Sequence, residues 1–328
     1  MNVAEHNLPT SSLYDVAPLR DDLPWGAIVR GLDESRIDDP QVKADLHALW
    51  IQAGAILFKG LSSANACLKI SAMFGPLRDH PAPEVMSKNQ REFTYINYEP
   101  GKGWLFEVDG EELGNWLPWH KDLIYVDKIN RGGILKPVVL PSRLGQTGFI
   151  DNISAYERLP QRLKDEIEDL HVVYQYDIDV ANQKFGRLQD GKVLRYSEVT
   201  AKVYERGKTF PEVIHPMVYT QRETSRKVLN VSAWFAQRIY ERPDAESDAL
   251  LEEVVQHAID ERFAYFHNWE QDEMVLWDNW RMLHSAAGCP GNEQRTFERT
   301  TIGGDYGLGR LHPETDEETG RATGYVHV

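Results

Sequence analysis

Apolar residues fall at helical spacing in only a few places along the chain, and elsewhere they gather into short β-rich runs. The first 24 residues are polar and turn-rich, which predicts an N-terminal tail with at most one docked segment. GAIVRGL from Gly26 reads as a short strand. After Asp39-Pro40, Val42, Leu46, Leu49 and Trp50 recur at helical spacing, and proline suits a first helical turn. AILFKG, residues 55–60, is a nearly continuous apolar run that reads as a buried strand. A second helical stripe, Ala66, Ile70, Met73 and Phe74, stops at Gly75.

From Phe93 the texture becomes FTYINY, DLIYV, GGILKPVVLP, TGFID, LHVVYQYD, VIHPMVYT, KVLNV, FAYFHNW and EMVLWDNW. Many short strands separated by turns predict a mainly β barrel or sandwich rather than alternating βαβ units. Helical insertions are expected over about residues 154–170 and 243–262, the second carrying Leu250, Leu251, Val254, Val255 and Ile259. Residues 25–310 therefore read as one domain and 311–328 as a C-terminal tail. The polar stretch 178–211 fits either a lid or an ordinary excursion.

Charge narrows the partners. Thirty-six Lys and Arg against 51 Asp and Glu give a formal net charge of −15 spread along the chain, which repels phosphate backbones and anionic lipid. Nucleic acid and membrane are not expected partners, whereas a homo-oligomer is compatible with the sequence. Two cysteines, Cys67 and Cys289, exclude a disulfide framework and a cysteine-based zinc cluster. The start of the chain has no basic segment followed by an apolar run, and a cytoplasmic protein is expected.

His120-Lys121-Asp122 is the only His-x-Asp in the chain. On an extended segment, residues i and i+2 project to one side, so an imidazole and a carboxylate can face one ion. A hydrogen-bonded surface pair would have the same sequence. His284 lies far downstream, in EMVLWDNWRMLHSAAG, and two imidazoles with one carboxylate form the facial triad of non-haem Fe(II) oxygenases. Arg295 and Arg299 follow it by eleven and fifteen residues; four apart on a strand, they face the same side and could hold two anions.

These residues resemble the taurine dioxygenase superfamily, which includes the chlorophenoxyacetate dioxygenases and uses Fe(II), 2-oxoglutarate and O2. The likeness covers about residues 26–305 and includes FGPLRDHP, PSRLGQT, SAYERLP and WDN. It implies a double-stranded β-helix, or jelly-roll, core with helical insertions. It makes His120, Asp122 and His284 the metal ligands, and Arg295 with Thr147 the partners of the distal carboxylate of 2-oxoglutarate. By the same likeness Arg299 meets the acidic head of the prime substrate, while His80 and Phe235 line its pocket.

The implied reaction couples decarboxylation of 2-oxoglutarate, to succinate and CO2, with hydroxylation of an unactivated C–H. Asp122 favours hydroxylation, because related halogenases lack this carboxylate. A hydroxyl placed beside an ether oxygen or sulfonate would make the product fragment.

The chain departs from the taurine branch over residues 95–119, where Trp116 stands in place of the family's asparagine. The length of this stretch and its aromatic residues, Trp104, Phe106, Trp116 and Trp119, predict a lid loop bringing apolar surface to the substrate. The expected substrate is a small anion, a carboxylate with a bulky apolar or aromatic body such as an aryloxyalkanoate or a modified amino acid. The competing readings are a taurine or alkylsulfonate dioxygenase, and a redox-inactive metal hydrolase or isomerase or a non-catalytic binding barrel.

Overall fold

Two stacked sheets carry the molecule, described by a computed structural model for residues 7–87 and 90–313. The larger has seven strands in the order Asp15–Pro18, Ala27–Arg30, Ala55–Lys59, Glu273–Asp278, Gly132–Val139, Arg295–Ile302 and Phe93–Tyr98. The second runs Gly191–Arg195, Leu105–Val108, Glu111–His120, Met282–Pro290, Thr147–Asp151 and Tyr265–His267. Phe149 and Met282 from one sheet bury against Trp277, Leu135 and Phe297 from the other, forming a core between them. This is the mainly β jelly roll that the resemblance implied; the sheets do not close into a barrel.

The predicted helices form for the expected reasons. Asp39 accepts from the Gln41 amide and Pro40 occupies the first turn of Pro40–Ala53, whose buried face includes Val42, Leu46, Leu49 and Trp50. The insertion at 154–170 is two helices, Asn152–Arg158 and Gln161–Ile167, interrupted where Pro160 has no amide proton to give. The later one, Ala245–Ala258, opens with a capping box between Asp244 and Ser247.

One expectation changes, and two gain definition. Most of the stretch 95–119 is a hairpin and not a loop: after the strand Phe93–Tyr98, Leu105–Val108 and Glu111–His120 pair antiparallel around Asp109 and Gly110, both with positive φ. Gly103 and Gly114 let the Tyr98 ring lie flat on the hairpin, since a Cβ on either would sit within 2.5 Å of it. The N-terminal stretch docks as an edge strand, Asp15–Pro18 against Ala27–Arg30, and Leu23 and Trp25 are buried. The segment 178–211 holds a strand, Gly191–Arg195, and a helix, Glu198–Gly207. Residues 1–6 and 314–328 of the predicted tails lie outside the described residues, while Arg310–Leu311 pairs with Val213–Pro216.

Candidate active site

His120 and His284 sit directly across from one another on adjacent antiparallel strands, with ring centroids 4.2 Å apart. The strand from Glu111 ends at His120, and Asp122 occupies the turn that follows, with Leu123 at φ 57°. DLIYV is thus a turn, and the carboxylate meets the imidazoles by chain reversal and not through strand alternation. Asp122 Oδ1 lies 4.0 Å from His120 Nε2 and 3.7 Å from His284 Nε2. One donor atom from each residue falls within 4.8 Å of the others, the only such grouping of His, Cys, Asp or Glu among the described residues. His120 Nδ1 is 2.7 Å from the Pro118 carbonyl, which can only accept, so Nδ1 carries the proton and Nε2 presents its lone pair to the site.

A buried polar cluster fixes the turn. Asn279 accepts from the Asp122 amide at 2.9 Å and donates to the Asp122 carbonyl at 2.9 Å, and its amide group also meets Asn130 Oδ1 at 2.9 Å. Lys121 points the opposite way into the protein, where its ammonium donates to Asn230 Oδ1 and the Trp280 carbonyl at 2.9 and 2.6 Å. Neither residue is read as a site residue from sequence, although the WDN tripeptide was the available signal. Asn279→Ala is expected to weaken metal binding by about 10- to 100-fold with His120, Asp122 and His284 intact, the usual scale for a residue that orients a ligand. A metal titration of this variant matching the wild type would show that the turn holds its shape without Asn279.

Electrostatics suit a divalent cation. Burial pushes the His284 imidazole down to about 3, aided by nearby His120. Burial also lowers His120, against the pull of Asp122. Asp122 is pushed up by the same burial, but the Arg299 guanidinium and the imidazoles outweigh it and hold the carboxyl at about 2. Two neutral nitrogen donors and one carboxylate therefore face one point, a donor set matched to Fe(II).

Arg295 is 2% exposed and has no acidic partner among the described residues. Its Nε and Nη2 donate only to the Gly145 carbonyl, at 3.4 and 3.2 Å, and burial draws its pKa down to about 10. A buried cation without an acidic counter-charge retains the capacity to pair with an anion. Thr147 begins a strand of the other sheet, two residues beyond Gly145; its hydroxyl accepts from Trp269 Nε1 at 3.0 Å.

Arg299 donates through Nη1 to both oxygens of Asp122 at 2.7 Å, and its Nε is buried without a partner. A carboxylate has about four lone-pair sites, so Asp122 can hold Arg299 on one edge and still offer an oxygen between the imidazoles.

A cavity of about 1090 Å³ is bordered by His120 and Asp122. His80, Arg299 and Phe235 line it. Phe235 is held at φ 74°, stacked on Trp234 at 4.3 Å and on Tyr176 at 5.7 Å. Trp116 does not line it. The register between His284 and Ala286 shifts opposite His120 and Leu117, and this bulge turns Trp116 to the outer face, where it packs edge-on against Phe106 at 5.6 Å. Asn115, at φ 50°, faces the cavity instead. The helix Glu198–Gly207 contributes Val199, Thr200 and Val203, so the ambiguous polar stretch forms a wall.

The sequence model of the taurine catabolism dioxygenase TauD, TfdA family matches residues 15–301. The (S)-phenoxypropionate/alpha-ketoglutarate-dioxygenase of Sphingobium herbicidovorans is 28% identical over 304 residues, 90% of this chain and 96% of that protein. The alpha-ketoglutarate-dependent 2,4-dichlorophenoxyacetate dioxygenase of a Burkholderia species, strain RASC, is 32% identical over 205 residues, 61% of this chain and 64% of that one. A taurine dioxygenase structure from Burkholderia xenovorans superposes with a TM-score of 0.67 at 24% identity, covering 89% of this chain and 90% of that one, and shares the fold.

Proposed function

We propose, on the premise that the chain belongs to the taurine catabolism dioxygenase TauD, TfdA family and is an alpha-ketoglutarate-dependent dioxygenase, that it hydroxylates a carboxylate with a bulky apolar or aromatic body. Family membership sets aside the redox-inactive hydrolase and binding-barrel readings. In this proposal His120, Asp122 and His284 hold Fe(II), and Arg295 with Thr147 holds the distal carboxylate of 2-oxoglutarate (alpha-ketoglutarate). Bound Fe(II), with 2-oxoglutarate and O2, supplies the oxidising chemistry. The protein orients the substrate, keeps one face of the metal site open and excludes water.

The observation that carries the substrate class is the cavity. At about 1090 Å³ it is slightly larger than the roughly 300–1,000 Å³ typical of sites for drug-sized ligands, and Trp104, Tyr125, Tyr176, Trp234 and Phe235 line it. A two-carbon sulfonate such as taurine would leave most of that apolar surface uncovered. Arg299, through its unpartnered Nε, and His80 face the anionic head. With a net charge of −15, long-range steering does not favour an anion, so capture depends on this local cation.

Hydroxylation at the carbon beside an ether oxygen gives a hemiacetal or hemiketal. Its collapse breaks that carbon–oxygen bond, forms a carbonyl and returns the proton to the departing phenol. Relatives named for phenoxypropionate and 2,4-dichlorophenoxyacetate support an aryloxyalkanoate as the first compound class to try. A cytoplasmic setting is part of the reading, in keeping with the two free buried thiols, Cys67 and Cys289. None of the described helices is long and apolar enough to cross a membrane.

Succinate formation with aryloxyalkanoates, bulky N-acyl amino acids and taurine tests the proposal. Bulky carboxylates are expected to drive turnover, and Arg299→Leu to lose substrate-coupled turnover by at least about tenfold through the lost charge-assisted contact. Because Arg299 also touches Asp122, metal affinity is measured on the same variant. Taurine outperforming every bulky carboxylate would overturn the substrate assignment.

A further inference from the structure

We infer that Trp269 is a positioning residue for 2-oxoglutarate: by donating its indole N–H to Thr147, it fixes the direction in which the Thr147 hydroxyl donates. The inference rests on the proposed roles of Thr147 and Arg295.

A threonine hydroxyl can turn to donate or to accept, and heavy-atom positions do not reveal which. Here its partner decides. Indole nitrogen is donor only, so in the 3.0 Å contact between Trp269 Nε1 and Thr147 Oγ1 the threonine must accept. Its own proton is then free to point elsewhere, and a carboxylate, which only accepts, is the complementary ligand. The same ring supports the second carboxylate contact. Trp269 meets Phe297 edge-on at 5.1 Å, and the Arg295 guanidinium lies 3.9 Å from the centre of the Phe297 ring. One side chain thus orients the neutral donor and backs the aromatic platform beneath the charged one.

Trp269 is itself held. His267 meets it edge-on at 4.5 Å and is fixed by Glu273 at 2.9 Å and by the Tyr265 hydroxyl at 3.0 Å. Asn268 accepts from Gln146 at 3.1 Å, tying the loop to the residue before Thr147.

The test is a double-mutant cycle read by anaerobic titration of 2-oxoglutarate into Mn(II)-loaded protein, which needs no turnover. Trp269→Phe keeps an aromatic ring against Phe297 and removes the N–H. It is expected to weaken 2-oxoglutarate about three- to tenfold, the range of one hydrogen bond. Thr147→Val is expected to weaken it comparably, and Trp269→Phe to have no further effect in the Thr147→Val background. Thermal unfolding of the ligand-free variants checks that each is folded. Unchanged affinity in Trp269→Phe, or an equal loss in both backgrounds, would overturn the inference while leaving Thr147 as a ligand. Unchanged affinity in Thr147→Val would overturn the role of Thr147 as well.

Discussion

Asp122→Ala is expected to reduce Fe(II)-dependent turnover to background in a protein that remains folded. The carboxylate is the only anion in the donor set, and without it two neutral imidazoles must hold a dication in a buried site. The substitution also removes the partner of Arg299. Breaking a fully buried pair costs about 3–5 kcal/mol, because a charge is stranded. Arg299, however, borders the large cavity, where water can reach it, so the stability loss is expected to fall below that range. Asp122→Asn separates the two effects: it keeps the size and one acceptor oxygen for Arg299 but lacks the charge. Both variants are assayed for Fe(II) affinity and for thermal unfolding without metal. Wild-type turnover in either would remove the facial-triad reading.

How far the sequence reveals this site depends on how each residue is placed. Residues whose position follows from strand periodicity were legible. Arg295 and Arg299 lie on one strand, Arg295–Ile302, and Thr147 begins Thr147–Asp151, as the runs predict. Asp122 meets the two histidines by a route that apolar spacing does not suggest, because the positive φ at Leu123 and the Asn279 contacts create a turn where the spacing predicts a strand. Trp116 was misread because a bulge changes which side chains face inward, and a one-residue shift exchanges every side chain beyond it between faces. The hairpin within 95–119 resembles a loop because Gly101, Gly103 and Gly110 punctuate it, yet two of its glycines serve to seat Tyr98.

Long-range contacts between side chains left the least trace. Nothing in the local sequence connects Trp269 with Thr147, or Lys121 with Asn230, since each pair is joined only when separate strands and turns are brought together. The helix Glu198–Gly207 is polar enough to read as a surface excursion. Its cavity-facing residues, Val199, Thr200 and Val203, are too few to give a helical stripe of the kind seen at Val42, Leu46 and Leu49.

Arg295→Leu is expected to cost about 2 to 5 kcal/mol of 2-oxoglutarate binding, the scale for removing one partner of a buried hydrogen-bonded charge pair. That corresponds to a loss of affinity on the order of 30- to 5,000-fold. The ligand-free protein should respond differently. Its guanidinium is buried with no acidic partner among the described residues, and burial already draws its pKa down to about 10, so it bears a desolvation cost that leucine would not. Against this, leucine loses the stacking of the cation on Phe297 at 3.9 Å, a contact of about 0.5 to 2 kcal/mol. The two terms oppose, and the ligand-free melting temperature should change little. A ligand stabilises in proportion to the logarithm of its concentration over its dissociation constant, so the rise in melting temperature on adding 2-oxoglutarate to Mn(II)-loaded protein should shrink sharply in the variant. Arg295→Lys keeps the charge but loses the planar fork, and its affinity should fall between the two. A full ligand-induced shift in Arg295→Leu would mean that the distal carboxylate is held elsewhere, and that the buried cation serves the fold.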